Sequence, residues 1–203
     1  MTIENVELLH NACLVGEFGL PEIKAVNIVP EKIISFNYAQ SYPFEDRKNV
    51  FVHFFIDDYQ FERVWNKPER YLELLKQFAG VFAPDFSIYI NMPKSTQIYN
   101  AYRNNLLAHY YQQNGISVIA CPMWADENSY WWIFDGQPEN GTVAITTVGV
   151  SSEYFIKGFE EMCRRLTPNK ILVYGKILPG MEKFKNKIIQ FESNVDNLRK
   201  LGK

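Results

Sequence analysis

Acidic side chains are the residues in this 203-residue sequence whose types and spacing most directly suggest chemistry. Asp57 and Asp58 follow one apolar run, and Asp126 and Glu127 follow another. If each run is a strand of a parallel sheet, the acids lie at the carboxyl ends of the strands, where α/β folds bind ligands. Carboxylates from two strands suit general acid–base catalysis or a magnesium site. The spacing therefore predicts a catalytic site of Asp57, Asp58, Asp126 and Glu127.

These acids also have an ordinary structural interpretation. Aspartate side chains near turns commonly accept hydrogen bonds from loop amides. Asp57 and Asp58 could bind the amides of the loop after their strand, and Asp126 could cap a short helix predicted over residues 129–134. Position alone leaves both interpretations open.

Residues after the other predicted strands complete the candidate site. An exposed Trp124 would stack on a sugar ring or a base, whereas a buried one would belong to the core. Residues 146–152 join a strand to a helix N-terminus, where free amides either hold phosphate or receive ordinary caps. The predicted ligand-binding residues are Asn91, Trp124, Thr147, Gly149, Ser151 and Lys176.

The sequence gives weaker evidence for a nucleophile or a metal site than for the acidic site. Cys121 ends a predicted strand and could act as a thiolate, although most cysteines at such positions are simply buried. His53 alternates with Phe55 along its strand, which is more typical of a core histidine than of a ligand. The sequence has no HExxH motif and no paired CxxC motifs, so it predicts no metal site and identifies no cofactor.

The elements that would position these residues alternate between strands and helices. Apolar and β-branched runs predict strands at 32–37, 49–57, 86–91, 116–122, 142–149, 170–175 and 188–192. Capping residues predict helices that begin near Asn66, near Ser95 and at Ser151 or Ser152. This alternation predicts a single α/β domain over 1–203 with a mainly parallel sheet, either an incomplete TIM-like barrel or an open doubly wound sheet. Residues 1–31 would form an irregular cover and residues 193–203 a polar, basic tail.

Charge is distributed unevenly along the chain. The net charge is −2, but residues 1–163 carry −9 and residues 164–203 carry +7. The basic end suggests an alternative function, a non-catalytic accessory protein that binds nucleic acid or a host protein there. Lysines that simply solvate the outer faces of helices would give the same pattern.

Compartment signals point to the cytoplasm. Three cysteines without close spacing argue against a disulfide framework, and the acidic N-terminal residues argue against a signal peptide. The longest uncharged run, residues 104–125, contains Asn, Gln, His and Gly, so it is not a membrane span. We therefore expect a cytoplasmic protein that does not interact with membranes.

Seven separated sequence blocks resemble one known family. In order they are FFIDDYQFERVW (54–65), PDFSIYINMP (84–93), QIYNAYRNN (97–105), QNGISVIACPMWADENSY (113–130), FDG (134–136), TVAITTVG (142–149) and KILVYG (170–175). Together they resemble the bacterial and bacteriophage family known as domain of unknown function 4417. The resemblance implies a compact protein of mobile elements and implies no activity. The residues themselves suggest a hydrolase or a binder of a polar, phosphate- or sugar-containing small molecule.

Overall fold

The computed structural model describes residues 4–150 and 152–193. The strands are β1 (Leu14–Val15), β2 (Leu20–Pro21), β3 (Ile33–Ser35), β4 (Phe51–His53), β5 (Gly80–Phe82), β6 (Val118–Ile119), β7 (Thr142–Thr146), β8 (Lys170–Tyr174) and β9 (Ile188–Phe191). The α-helices are α1 (Phe36–Ala39), α2 (Asp58–Asn66), α3 (Pro68–Leu75), α4 (Lys94–Gln113), α5 (Tyr130–Ile133) and α6 (Ser152–Leu166). Short 3-10 helices lie at Val6–Leu9, Phe44–Asn49, Glu127–Ser129 and Glu182–Phe184.

Two parallel sheets confirm the predicted α/β class. Strands β3, β4, β5 and β6 pair in that order, and β7, β8 and β9 form a second sheet in that order. A single parallel bridge between Ala120 and Val143 links the two sheets. Strands β1 and β2 form a separate antiparallel pair within the predicted N-terminal cover. Among the described residues no pairing joins β3 to β9, so these strands do not close a barrel.

Buried side chains form two apolar clusters. The first surrounds β3 to β6 with α2, α3 and α4, and the second lies between β7, β8, α5 and α6. Side chains on β7 and β8 alternate, because Ala144 and Leu172 join the first cluster whereas Val143, Ile145 and Val173 join the second. Both faces of these strands are therefore buried, which explains their continuous apolar sequence.

The strand predicted at 86–91 is wrong. The strand in this part of the chain is β5, at Gly80–Phe82, and residues 83–89 form no regular element. Their backbone binds side chains instead of a neighbouring strand. The Phe86 amide donates to Asn104 Oδ1 (2.8 Å), and the Ser87 amide donates to Asp58 Oδ2 (3.0 Å).

Helix α4 buries a polar face, although Ile98, Tyr99, Tyr102, Leu106 and Tyr110 have the sequence spacing of an apolar stripe. Of these five, only Leu106 is fully buried. The fully buried polar residues of the helix are Gln97, Asn100, Arg103, Asn104, Asn105 and His109. Buried amides must be hydrogen-bonded, and the side chains of Gln97, Asn100 and Asn104 bind loop carbonyls. Within the described residues no helix combines the length and hydrophobicity needed to cross a membrane.

Candidate functional site

A cavity of about 690 Å³ opens at the carboxyl ends of the parallel strands. Its walls come from the residues that follow β4, β5, β6 and β7, together with Tyr174 of β8 and Ser193 after β9. This volume lies within the range of small-molecule sites. We therefore compare the positions of the predicted site residues with the walls of this cavity.

The most unusual group lining the cavity is Asp85, which the sequence analysis did not select. It is only 8% exposed, and its Oδ1 atom has no hydrogen-bond partner among the described residues. Burial, followed by the neighbouring Asp58 carboxylate, raises the pKa of Asp85 well above its ordinary value. This environment favours the protonated carboxyl, which can both donate and accept a hydrogen bond.

Cys121 lines the same cavity and is almost fully buried. Burial and the nearby Asp85 raise the pKa of its thiol well above the ordinary value. A nucleophilic cysteine needs the opposite shift, because the thiolate is the reactive form. The geometry therefore favours Cys121 as a wall residue rather than as a nucleophile.

A hydrogen-bond network behind the cavity fixes the segment that carries Asp85. Asp58 accepts hydrogen bonds from both the amide and the hydroxyl of Ser87 (3.0 and 2.8 Å). Asn100 Nδ2 donates to the Ser87 carbonyl (2.6 Å), and Asn104 binds both backbone polar groups of Phe86. Asp58, predicted as a catalytic residue, therefore positions the loop and is not among the residues that line the cavity.

Aromatic rings form much of the cavity wall. The Phe55 and Tyr174 rings stack with centroids 5.5 Å apart, and the Trp124 and Phe155 centroids are 5.0 Å apart. Gly158 of α6 lets Trp124 pack closely, since a Cβ atom there would overlap the indole ring. Such rings can stack on a flat ligand.

Three predicted site residues line the cavity: Asp57, Trp124 and Gly149. Asp57 is exposed, and its Oδ2 accepts a hydrogen bond from Gln60 Nε2 (3.1 Å). Gly149 has φ of +75°, a conformation that glycine adopts without strain. The structure thus brings one predicted acid, one predicted aromatic residue and the predicted turn to a common site.

Asp126 and Glu127 do not line this cavity. Asp126 Oδ1 accepts a hydrogen bond from the Asn128 amide (3.1 Å), which makes it the N-cap of the short helix Glu127–Ser129. Glu127 forms an exposed ion pair with Lys157 of α6 (3.0 Å). The structure therefore does not bring the two predicted pairs of acids to one cavity.

Three other predicted ligand-binding residues, Asn91, Thr147 and Lys176, lie off the cavity wall. Asn91 is exposed in the turn before α4, because the predicted strand 86–91 is absent. The Thr147 hydroxyl donates to the Lys176 carbonyl (2.8 Å), so it joins two loops, and the Lys176 residue is exposed. Ser151 lies outside the described residues.

His53 is buried below the cavity and faces aromatic rings. Its ring centroid lies 4.6 Å from that of Tyr174, and burial lowers its pKa to about 3. Its Nδ1 atom has no hydrogen-bond partner among the described residues. The predicted interpretation as a core histidine agrees with this neutral, enclosed position.

Comparison with known proteins identifies the family. Residues 12–192 match the family described as Domain of unknown function (DUF4417). The chain belongs to this family. The DUF4417 protein is also 35% identical to the Gene 1 protein of Mycobacterium phage L5 over 165 residues, which cover 79% of this chain and 72% of the phage protein.

A second phage protein gives a similar match. The Gene 1 protein of Mycobacterium phage D29 is 32% identical over 165 residues, which cover 79% of this DUF4417 chain and 61% of that protein. No solved structure matches. The comparisons therefore support the predicted phage connection and assign no reaction.

Two further predictions concern metal binding and the basic C-terminal region. Within residues 4–150 and 152–193 of this DUF4417 protein, no group of three His, Cys, Asp or Glu side chains could hold a metal ion. Several basic groups of the C-terminal region pair with acids of α6: Lys183 with Glu160, and both Arg164 and Arg165 with Glu161. Residues 194–203, most of the predicted basic tail, lie outside the described residues.

Proposed function

We propose that this DUF4417 protein binds a small, uncharged polar molecule with a flat ring in the cavity at the strand ends, and that Asp85 recognises it. The proposal depends on one observation. Asp85 lines the cavity, is almost fully buried, and has an oxygen without a hydrogen-bond partner among the described residues.

The free-energy cost of the unpartnered Asp85 oxygen supports a role in ligand binding. A buried polar atom without a partner costs about 1–3 kcal/mol, so few persist in native structures. Asp85 Oδ1 has almost no accessible surface, so a ligand donor would recover much of that free energy once the side chain turns this oxygen toward the cavity. Buried acids with perturbed pKa values also cluster at functional sites.

The side chains around the cavity favour an uncharged ligand over an anionic one. Among the described lining residues there are two acids, Asp57 and Asp85, and no lysine, arginine or histidine. Phosphate would depend on the backbone amides near Gly149 alone. We therefore prefer the sugar-containing form of the predicted ligand to the phosphate-containing form.

The same two acids also support hydrolysis as a second candidate function. Asp85 in its protonated form could donate a proton, and the exposed Asp57 could act as a base or nucleophile on the same ligand. These are different residues from the predicted pair of Asp57 and Asp126. Mass spectrometry of ligands after incubation with the protein tests this function, since a hydrolase would cleave them only while Asp85 and Asp57 are present.

We also propose that the seven parallel strands form an incomplete barrel. Strands β3 to β9 follow one another in sequence order without a reversal, whereas a doubly wound sheet reverses at a switch point. In barrels the site lies at the carboxyl ends of the strands, which agrees with the position of the cavity.

Thermal shift with a library of small polar ring compounds tests ligand binding. A ligand at 100 times its dissociation constant adds about 2.7 kcal/mol, which raises Tm by roughly 5–10 °C for a domain of this size. We expect Asp85→Leu to abolish the shift and Asp126→Asn, which removes an acid outside the cavity, to retain it. Ligands that stabilise all three proteins equally, or no ligand at all, would contradict the proposal.

A further inference from the structure

The chemical form of Asp85 narrows the class of ligand, an inference that rests on the proposed function. Asp85 follows β5 and lies close to the Asp58 carboxylate and the Cys121 thiol. No ion pair with a lysine or arginine is formed by Asp85 within the described chain. A buried acid beside another acid and without a cation is held in its neutral form.

A neutral carboxyl has a distinctive hydrogen-bonding pattern. Its hydroxyl donates and its adjacent carbonyl accepts, so its planar partner must present an acceptor beside a donor. Cyclic amides and amidines, including the hydrogen-bonding edges of nucleobases, have this arrangement. A carboxylate would instead prefer two adjacent donors, as in a guanidinium group.

The walls of the cavity favour a planar partner of the same kind. The rings come from two loops (Phe55 and Trp124), from strand β8 (Tyr174) and from helix α6 (Phe155). Aromatic side chains stack on nucleobases irrespective of their identity, and a volume of about 690 Å³ can accommodate a base together with its sugar. The exposed acid Asp57 and the lack of any lysine or arginine among the described lining residues oppose a ligand that also carries phosphate.

We propose that the cavity binds an uncharged nitrogen heterocycle of the nucleobase or nucleoside class, with its donor–acceptor edge on the Asp85 carboxyl and its ring among the aromatic walls. Asp85 acts in this complex as a neutral donor and acceptor. The free nucleoside is the ligand, and neither its phosphorylated form nor a base within a nucleic acid strand is.

Isothermal titration calorimetry with defined probes tests this inference. The probes are adenosine, cytidine, guanosine and uridine, their 5′-monophosphates, a single-stranded oligonucleotide and a methyl glycoside. We expect at least one nucleoside to bind, and its monophosphate, the oligonucleotide and the glycoside to bind at least about tenfold more weakly.

Variants at Asp85 distinguish a neutral acid from a carboxylate. Asp85→Asn keeps a donor beside an acceptor, so affinity should stay within about threefold of wild type. Asp85→Leu removes both groups and should weaken binding roughly tenfold or more. Wild-type affinity should fall about tenfold for each pH unit above the pKa of Asp85, whereas Asp85→Asn should show no such dependence.

Each other outcome overturns a specific claim. Equal losses in Asp85→Asn and Asp85→Leu would show that the charged carboxylate is required and would overturn the inference. Asp85-dependent binding of the glycoside without any nucleoside would also overturn it, while leaving the proposed function intact. If Asp85→Leu does not fold, as judged by circular dichroism, the Asp85→Asn and pH comparisons remain decisive. Absence of binding by every probe and every library compound would overturn both proposals.

Discussion

The His53 and Tyr174 rings lie 4.6 Å apart, although they come from β4 and β8, the second and sixth of seven consecutive parallel strands. In a flat sheet four strand spacings of about 4.8 Å would separate them by roughly 19 Å. The strands must therefore curve so that the inward side chains of β4 and β8 meet. Phe55 stacks on the same tyrosine, and both rings line the cavity.

The buried His53 should make the protein sensitive to acid. The unfolded chain binds a proton on this residue near pH 6.5, but the folded chain does so only near pH 3, because burial lowers its pKa. Between these values the unfolded state holds more protons, so the free energy of unfolding falls by up to about 1.4 kcal/mol per pH unit as the pH decreases. Urea unfolding at several pH values measures this slope.

Substitution of His53 should remove that contribution. His53→Phe keeps an aromatic ring beside Phe55 and Tyr174, and the slope between pH 6.5 and 4 should become shallower by about one proton. His10→Gln changes an exposed histidine and serves as the control. Identical slopes in wild type and His53→Phe would contradict the prediction.

Asp85 should have the opposite pH dependence. Its pKa is raised in the folded state, so between its unfolded value of about 3.9 and its folded value the native protein holds the extra proton. The free energy of unfolding then decreases as the pH rises through this window. Asp85→Asn should therefore become progressively more stable than wild type above about pH 4, up to the folded pKa of Asp85. A constant difference between the two proteins across pH 4–8 would disagree with a neutral Asp85.

Three predicted site residues, Asp57, Trp124 and Gly149, line the cavity because strand ends are easy to recognise. The apolar runs before Asp57, before Trp124 and before Gly149 are real strands or lead directly from them, and parallel pairing brings their ends together. The position of the cavity follows from those facts. Asp85 was accessible to the same reasoning, since it follows the apolar residues of β5 and Pro84.

The strand predicted at 86–91 is absent because the backbone of this segment binds side chains. The alternating sequence Phe86–Ile90 is typical of a strand, but its amides pair with Asn104 of α4 and with Asp58. Periodicity reports where a side chain faces and not what its amide binds. A strand at 86–91 would end at Asn91 and begin just after Asp85, which is why the sequence predicts Asn91 and not Asp85 at the site.

Gly158 should be required for the packing of Trp124. Alanine favours a helix over glycine by about 1 kcal/mol, but here its Cβ would overlap the indole ring, and overpacking typically costs 1–3 kcal/mol. We expect Gly158→Ala to lower the free energy of unfolding by about 1–2 kcal/mol in urea unfolding. In a Trp124→Leu background the same change should be neutral or stabilising. Equal effects in both backgrounds would show that Trp124 is not the obstacle.

Asp126 should act as a helix cap and not as a ligand group. Asn caps helices about as well as Asp, so Asp126→Asn should change stability little, whereas Asp126→Ala should cost on the order of 1 kcal/mol. Neither variant should alter the affinity of a cavity ligand. Loss of ligand binding in Asp126→Asn with unchanged stability would instead support the predicted catalytic role.

Asp58 should affect both stability and binding, because it holds the loop that carries Asp85. Its carboxylate accepts hydrogen bonds from the Ser87 amide and hydroxyl, and removal leaves these donors without their acceptor. Asp58→Ala should therefore lower the free energy of unfolding by about 1–3 kcal/mol. It should also weaken ligand binding through displacement of the loop.

Asp58→Asn retains one acceptor oxygen and should lie between wild type and Asp58→Ala in both measurements. A carboxylate that touched the ligand would give a different order, with Asp58→Asn as defective in binding as Asp58→Ala despite better stability.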